Sequence, residues 1–250
     1  MKTIKNVLLS MALLCFMTNL SFAQQLYNVH QDNVKPSKVR DYEKIAKEFN
    51  EACKEHNVDA NWLAVSTSDF AYLYVTPIEN MADLDKRPMA EMAKAMGDKF
   101  GEMFNRFDEC YDSHGNYILV SDEKLSYMPD GFTQTQEGQD YRDYFWIHYL
   151  PKNGKKIREG MKAVRDMFEA KGSKSHYRVY RNAFGSMDNY YLVAISSKDK
   201  IDSAQREKAN EELLGPERFE TFYKVFDYAE RMEETTGYIR RDLSYSSKKE

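Results

Sequence analysis

The sequence is short of the features that most often announce a function. It holds three cysteines, none in a Cys-x-x-Cys pair. Cys15 lies in the N-terminal apolar run. Cys53 and Cys110 have no Cys or His at ligand spacing except His56, so no metal site is expected. Cys53 shares an apolar helical stripe with Phe49 and Ala52, and Cys110 follows another helix antiparallel to it. Two free thiols are expected rather than a disulfide. HExxH, GxSxG and Gly-rich phosphate loops are all absent, which removes the common hydrolase and nucleotide signatures. There is no basic excess: Lys and Arg number 36 against 40 Asp and Glu, a formal charge of −4. An acidic chain without a basic run is a poor nucleic-acid ligand. Beyond the first two dozen residues no apolar run approaches membrane-spanning length, so no membrane span is expected.

What is present begins with a leader. Lys2 and Lys5 precede the apolar stretch from Val7 to Met17, and Ser21-Phe22-Ala23 reads as a small-x-small cleavage site. Residues 1–23 are read as a signal peptide, and the mature protein is expected to be periplasmic or secreted. The cleavage removes two lysines and no acid, so the mature chain is more acidic still. What remains suffices for two domains of roughly 100 residues, each able to bury a core.

A second feature is repetition. Leu26-Tyr27-Asn28-Val29-His30 and Tyr144-Phe145-Trp146-Ile147-His148 place histidines 118 residues apart. The same offset relates Val39 to Ile157, Gly97 to Gly215, Glu102 to Glu220, and Leu125-Ser126-Tyr127 to Leu243-Ser244-Tyr245. It drifts to about 115 at the first hairpin strand and 119 at the second. A persistent offset marks a duplicated unit. Each copy reads β-α-β-β-α-β. A strand over 26–31 leads through Pro36 into a helix carrying Tyr42, Ile45, Phe49 and Cys53 at helical spacing. A hairpin over 61–76 follows, then one helix from Pro88 with Met92, Met96, Phe100 and Phe107 on its core face. Asp112 to Asn116 reads as a turn before a strand in 117–127. The second copy runs from a strand over 141–149 to a last strand over 238–245.

This order is that of the ferredoxin-like fold. The expectation is α+β: two tandem ferredoxin-like repeats, 24–130 and 131–250, whose antiparallel sheets pack into one α/β barrel with helices outside. It makes a monomer with a pseudo-dimeric barrel. The strand, the lead-in Val34-Lys35-Pro36-Ser37-Lys38-Val39, the helix, the hairpin and the segment Tyr74 to Asp85 together resemble the dimeric α/β-barrel superfamily. That group includes antibiotic-biosynthesis-type and heme-degrading monooxygenases, chlorite dismutase-like proteins and NIPSNAP proteins. The resemblance implies ligand binding within the barrel and, in some members, heme held by a helix histidine. Here His56, at a helix end, is the one helix histidine available, so no cofactor is expected.

Strand parity then nominates a site. With Tyr27, Val29, Phe145 and Ile147 assigned to the helix-covered faces, the space between the sheets would receive Asn28 and His30 with Tyr144, Trp146 and His148. The hairpins would add Tyr72, Tyr74 and Tyr191, and the strand from His176 would add His176 and Arg178. An aromatic cavity with a few polar groups suits a planar small molecule. His30 and His148 are the candidate general bases; Asn28, Tyr72, Tyr74, Tyr144, Trp146, His176, Arg178 and Tyr191 are the candidate ligand contacts, Arg178 for a carboxylate. Two readings follow: an exported small-molecule-binding protein with cofactor-independent monooxygenase-like chemistry, or a non-catalytic envelope protein whose barrel is filled by its own side chains and whose surface binds a partner.

Overall fold

The computed structural model describes residues 24–247; the leader read over residues 1–23 lies outside the described residues. The first repeat comprises β1 (Leu26–Val34), α1 (Val39–Glu55), β2 (Asn61–Thr67), β3 (Ala71–Ile78), α2 (Ala90–Met96), α3 (Asp98–Asp108) and β4 (Tyr111–Ser121). The second comprises β5 (Tyr141–His148), α4 (Gly154–Lys171), β6 (Tyr177–Asn182), β7 (Tyr190–Ser197), α5 (Lys200–Leu214), α6 (Arg218–Phe226) and β8 (Arg231–Ile239), with a short β9 (Tyr245–Ser246). Eight strands close into a ring, β2-β3-β1-β4-β6-β7-β5-β8 and back to β2, with every pairing antiparallel. The helices lie outside the barrel. Among the described residues no helix is long and apolar enough to cross a membrane.

Local chemistry explains the element ends. A 3-10 turn at Pro36–Lys38 feeds α1, and its counterpart Pro151–Asn153 feeds α4; proline's fixed φ suits such a start. Gly172 ends α4 in the left-handed region, at φ 62°. The helix expected as one piece from Pro88 is two, because Gly97 adopts φ 57°, ψ −131° and redirects the chain between α2 and α3. Gly215 does the same between α5 and α6. The turn expected at Asp112 to Asn116 is instead the start of β4, with Ser113 to Asn116 paired to Asn33 to His30 of β1. The last long strand is β8 at Arg231–Ile239 rather than 238–245. Its first half is polar and exposed, so periodicity hid it, yet it pairs with β5 over its whole length. Cys53 and Cys110 are buried and unpaired.

The two halves meet at short seams. Leu119 to Ser121 of β4 pairs with Tyr180 to Asn182 of β6, and Val65 to Thr67 of β2 with Gly237 to Ile239 of β8. At the second seam a Cβ on Gly237 would stand 2.8 Å from the Ser66 carbonyl oxygen, so only glycine fits there. Each repeat then sends its tail across to the other. After β4, buried Leu125 and Tyr127 join the core under α4; after β8, buried Leu243 and Tyr245 join the core under α1. The hydrogen bonds are reciprocal. Ser126 Oγ accepts from Val179 N–H and Ser244 Oγ from Ala64 N–H, both at 2.9 Å. The Tyr127 hydroxyl donates to Ser173 O at 3.0 Å and the Tyr245 hydroxyl to Val58 O at 2.8 Å. The repeated Leu-Ser-Tyr is therefore the exchange motif. Beside it, Asp122 pairs with Arg158 of α4, and Arg240 pairs with Glu43 of α1.

Candidate functional site

Near β1 and β5 the repeats superpose at an offset of 115, not 118. Pro36 and Pro151 open matching turns, and the N–H groups of Val34 and Tyr149 reach matching carbonyls of Phe70 and Asn189. The buried stripe agrees: Tyr42, Ile45, Ala46 and Cys53 of α1 correspond to Ile157, Gly160, Met161 and Phe168 of α4. A three-residue difference is odd, and an odd shift moves every strand side chain to the opposite face. His30 and His148 are thus not equivalent.

The consequence reverses half of the expected lining. Tyr27 and Val29 point into the barrel with Leu73 and Val75, whereas Asn28, His30 and Tyr74 face the helices of the first repeat. Tyr72 also lies on the helix side, donating to Glu43 Oε1 at 2.7 Å. Tyr191 belongs to the helix-side core of the second repeat and stacks on Tyr149. His176 lines the helix–sheet cavity of that repeat rather than the barrel interior. Tyr144, Trp146 and Arg178 do face the interior as expected. That interior is nearly filled by side chains and leaves about 60 Å³, so a planar ligand has no room between the sheets. His148 lines none of these spaces. It sits at the end of β5, 3.5 Å from Asp188 and 3.4 Å from Glu233, with its ring against Tyr190.

The roomier spaces lie between helices and sheet. The one in the first repeat measures about 380 Å³. Its walls are largely aromatic: Tyr42 and Phe49 from α1, Phe104 and Phe107 from α3, Trp62 from β2 and Tyr74 from β3. Its polar edge comes from β1 and β4. Asp32 is 4% exposed and accepts a 2.6 Å hydrogen bond at Oδ2 from the Tyr42 hydroxyl, which lies 3.0 Å from that of Tyr74. Asp32 Oδ1 is buried, 3.0 Å from His30 Nε2 at ion-pair distance but in a direction that makes no well-formed hydrogen bond. Nδ1 of His30 is 3.1 Å from Asn116 Oδ1. Burial disfavours the His30 imidazolium, but the Asp32 carboxylate and Asn116 outweigh it and hold the pKa above its ordinary value. Burial, reinforced by Tyr74 and Asp32, holds the Tyr42 hydroxyl protonated far above its usual range. His114 completes the group, 3.9 Å from Asp32 Oδ1 and stacked on Tyr111.

His30, Asp32 and His114 offer ligand atoms that all lie within 4.8 Å of one another. Two imidazoles and a carboxylate on one side of a cavity are the donor set of mononuclear oxygenase metals, so this cluster could hold a divalent cation. Heme fits less well. Of the five histidines, none lies inside a helix; His56 is the C-cap of α1. The second repeat has a cavity of about 330 Å³, but Phe145 and Ile147 stand where His30 and Asp32 stand in the first, and its polar lining is a different set, with Asp143, His176, Arg206 and Glu207.

Asp32, Tyr42 and His114 were not legible as site residues. Asp32 continues the alternation Asn28, His30, but the strand was expected to end one residue earlier. Tyr42 reads as part of a helical core stripe, and His114 as a turn residue.

No protein-family model matches the chain, and no curated protein matches it. Solved structures do. An anthrone oxidase-like protein aligns with a TM-score of 0.60 at 15% identity, over 90% of this chain and 94% of its own. A candidate monooxygenase from Lactobacillus acidophilus NCFM aligns at 0.54 and 8% identity, over 90% and 97%. A mutant chlorite dismutase from Candidatus Nitrospira defluvii aligns at 0.53 and 8%, over 87% and 92%. At these identities the likeness is one of fold: the chain has the ferredoxin-like, dimeric α/β-barrel architecture, with both halves of the barrel in one polypeptide.

Proposed function

We propose that the protein is a monooxygenase-type enzyme that binds a small planar, mainly apolar substrate in the helix–sheet cavity of the first repeat and uses His30 as general base. The observation that carries this is a buried carboxylate, Asp32, set behind an imidazole at the rim of an otherwise aromatic 380 Å³ space. Apolar walls with few convergent polar groups are the usual form of a small-molecule site. In this reading the Asp32 carboxylate beside Nε2 stabilises the imidazolium as it forms, and Nδ1 takes a proton from a phenolic O–H or an activated C–H as the substrate displaces exposed Asn116. The carbanion or phenolate so formed supplies electrons to dioxygen. The Tyr42 hydroxyl fixes Asp32 and remains protonated. Anthrone oxidase-like and candidate monooxygenase neighbours support the class by fold analogy. The leader belongs to the same proposal and would place the activity outside the cytoplasm.

The test is binding and oxygen uptake with planar phenols and anthrone-type ketones. His30→Ala should retain binding, read by tryptophan fluorescence, and lower turnover by ~10²–10⁴-fold; His148→Ala should change neither. Failure of the wild type to bind any such ligand, or full activity in His30→Ala, would sink the proposal. A second reading is favoured by His114: the same rim holds a divalent cation. Then chelation would abolish activity, added Fe²⁺ or Mn²⁺ would restore it, and His114→Ala would be as damaging as His30→Ala.

A further inference from the structure

The barrel interior holds two arginines with no carboxylate at ion-pair distance among the described residues. Arg142 on β5 and Arg178 on β6 both line the 60 Å³ interior cavity, at 3% and 2% exposure. Among the described residues neither has a carboxylate within ion-pair distance, and no acid lines the cavity. Arg142 spends its donors on the carbonyls of Gln134, Gln139 and Tyr141. Arg178 Nη2 donates to Ser196 Oγ, but its Nη1 has no acceptor. Gln134 Nε2, lining the same space beside the Tyr27 hydroxyl, is also buried without a partner. Every orphaned group here is a donor, and two of the neighbours are cationic. Burying unpaired charge is costly, and an orphaned buried donor calls for an acceptor.

We infer that the barrel interior is a binding site for a small oxyanion, clasped between Arg178 Nη1 and Gln134 Nε2 with Arg142 alongside. The inference stands independently of the helix–sheet cavity and its chemistry. Size sets the class. A water needs about 10–15 Å³ of such space, so the cavity accommodates an ion of about four or five heavy atoms and excludes an aromatic ring. A guanidinium N–H and an amide N–H converging on one space match two oxygens of a carboxylate, carbonate or phosphate. Gln134 belongs to the segment between the repeats. Its neighbour Phe132 packs edge-on to Tyr180 at 6.4 Å, so this segment forms the wall that would open for exchange.

The experiment uses the purified protein dialysed into a low-salt zwitterionic buffer. Thermal unfolding is followed while acetate, bicarbonate or phosphate is titrated, with sodium chloride at equal ionic strength as reference. A bound oxyanion gives a rise in Tm beyond the chloride reference that grows with the logarithm of its concentration above Kd, about 5–10 °C at a hundredfold excess. A specific rise with acetate alone marks an organic carboxylate; one with bicarbonate or phosphate marks an inorganic ion. Arg178→Met abolishes the specific rise. Gln134→Leu, in the inter-repeat segment, weakens it and serves where Arg178→Met does not fold. Stoichiometric release of an oxyanion from denatured wild type, seen by ion chromatography, supports the site equally. No rise over the chloride reference together with no released ion would overturn it, as would an undiminished rise in both variants.

Discussion

At the scale of single residues, the two histidines that the repeat seemed to equate are opposites. His30 is held above its ordinary pKa of 6.5 despite burial, because Asp32 favours its charged form. His148 is held below 6.5, by burial first and then by Arg231. The signs for stability follow. The His30–Asp32 pair contributes fully below pH 6.5 and its contribution fades as pH rises through the elevated folded-state value. His148 folds neutral, so stability falls as pH drops below 6.5 toward its depressed value. We expect His148→Gln to flatten the decline of Tm below pH 6.5, and His30→Gln to remove a decline above it; unchanged Tm–pH curves would contradict both. If His30 is the base, activity should also rise through an apparent pKa above 6.5 and lose that limb in His30→Gln. The chemistry of His30 was legible from its residue type. Its partners were not: Asp32 lies one residue beyond the expected end of the strand, and His114 reaches the group only through the pairing of β1 with β4, which no local pattern encodes.

At the scale of elements, the duplication was legible in types and order, while its register was not. Hydrophobic periodicity exposes α1 and α4 because each buries one face, and the two hairpins show as paired β-rich runs around a turn. It exposes neither β8, whose leading half is polar, nor the parity of β1, because Leu26 to His30 alternates between two faces that are both covered. The faces of Tyr72, Tyr74 and Tyr191 were lost to the same ambiguity, since a barrel strand with helices behind it is apolar on both sides. A glycine tests the packing directly. Gly160 of α4 lies against α6 so closely that an added Cβ would overlap the Lys224 carbonyl. Alanine is the better helix former by roughly 1 kcal/mol, yet Gly160→Ala should destabilise by about 1–3 kcal/mol through forced separation of the helices. A denaturant midpoint at or above that of the wild type would show that α6 gives way easily.

At the scale of the whole molecule, the seams are short and the exchanged tails carry much of the join. Arg240 is tied to Glu43 and also bidentate to Asp242 at 3.0 Å, with Lys47 on the same carboxylate. The Arg240 guanidinium, with Lys47, holds the Asp242 carboxyl down at about 2 against burial. Arg240→Ala should therefore cost roughly 1–3 kcal/mol, since hydrogen bonds to charged groups contribute about that much. The exchanged pair Glu43→Arg with Arg240→Glu should recover part of the loss, which a double-mutant cycle would measure. A cycle with no coupling would mean the tail is held by the Leu243-Ser244-Tyr245 contacts without this ion pair.

The charges at this exchange run in opposite senses. Glu43 and Arg158 occupy matching places on α1 and α4, and Asp122 and Arg240 match in the tails. A first repeat paired with its own copy would set Asp122 against Glu43, and a second repeat paired with its own copy would set Arg240 against Arg158. Severed near residue 130 and mixed, the halves should then recombine one to one and shun themselves.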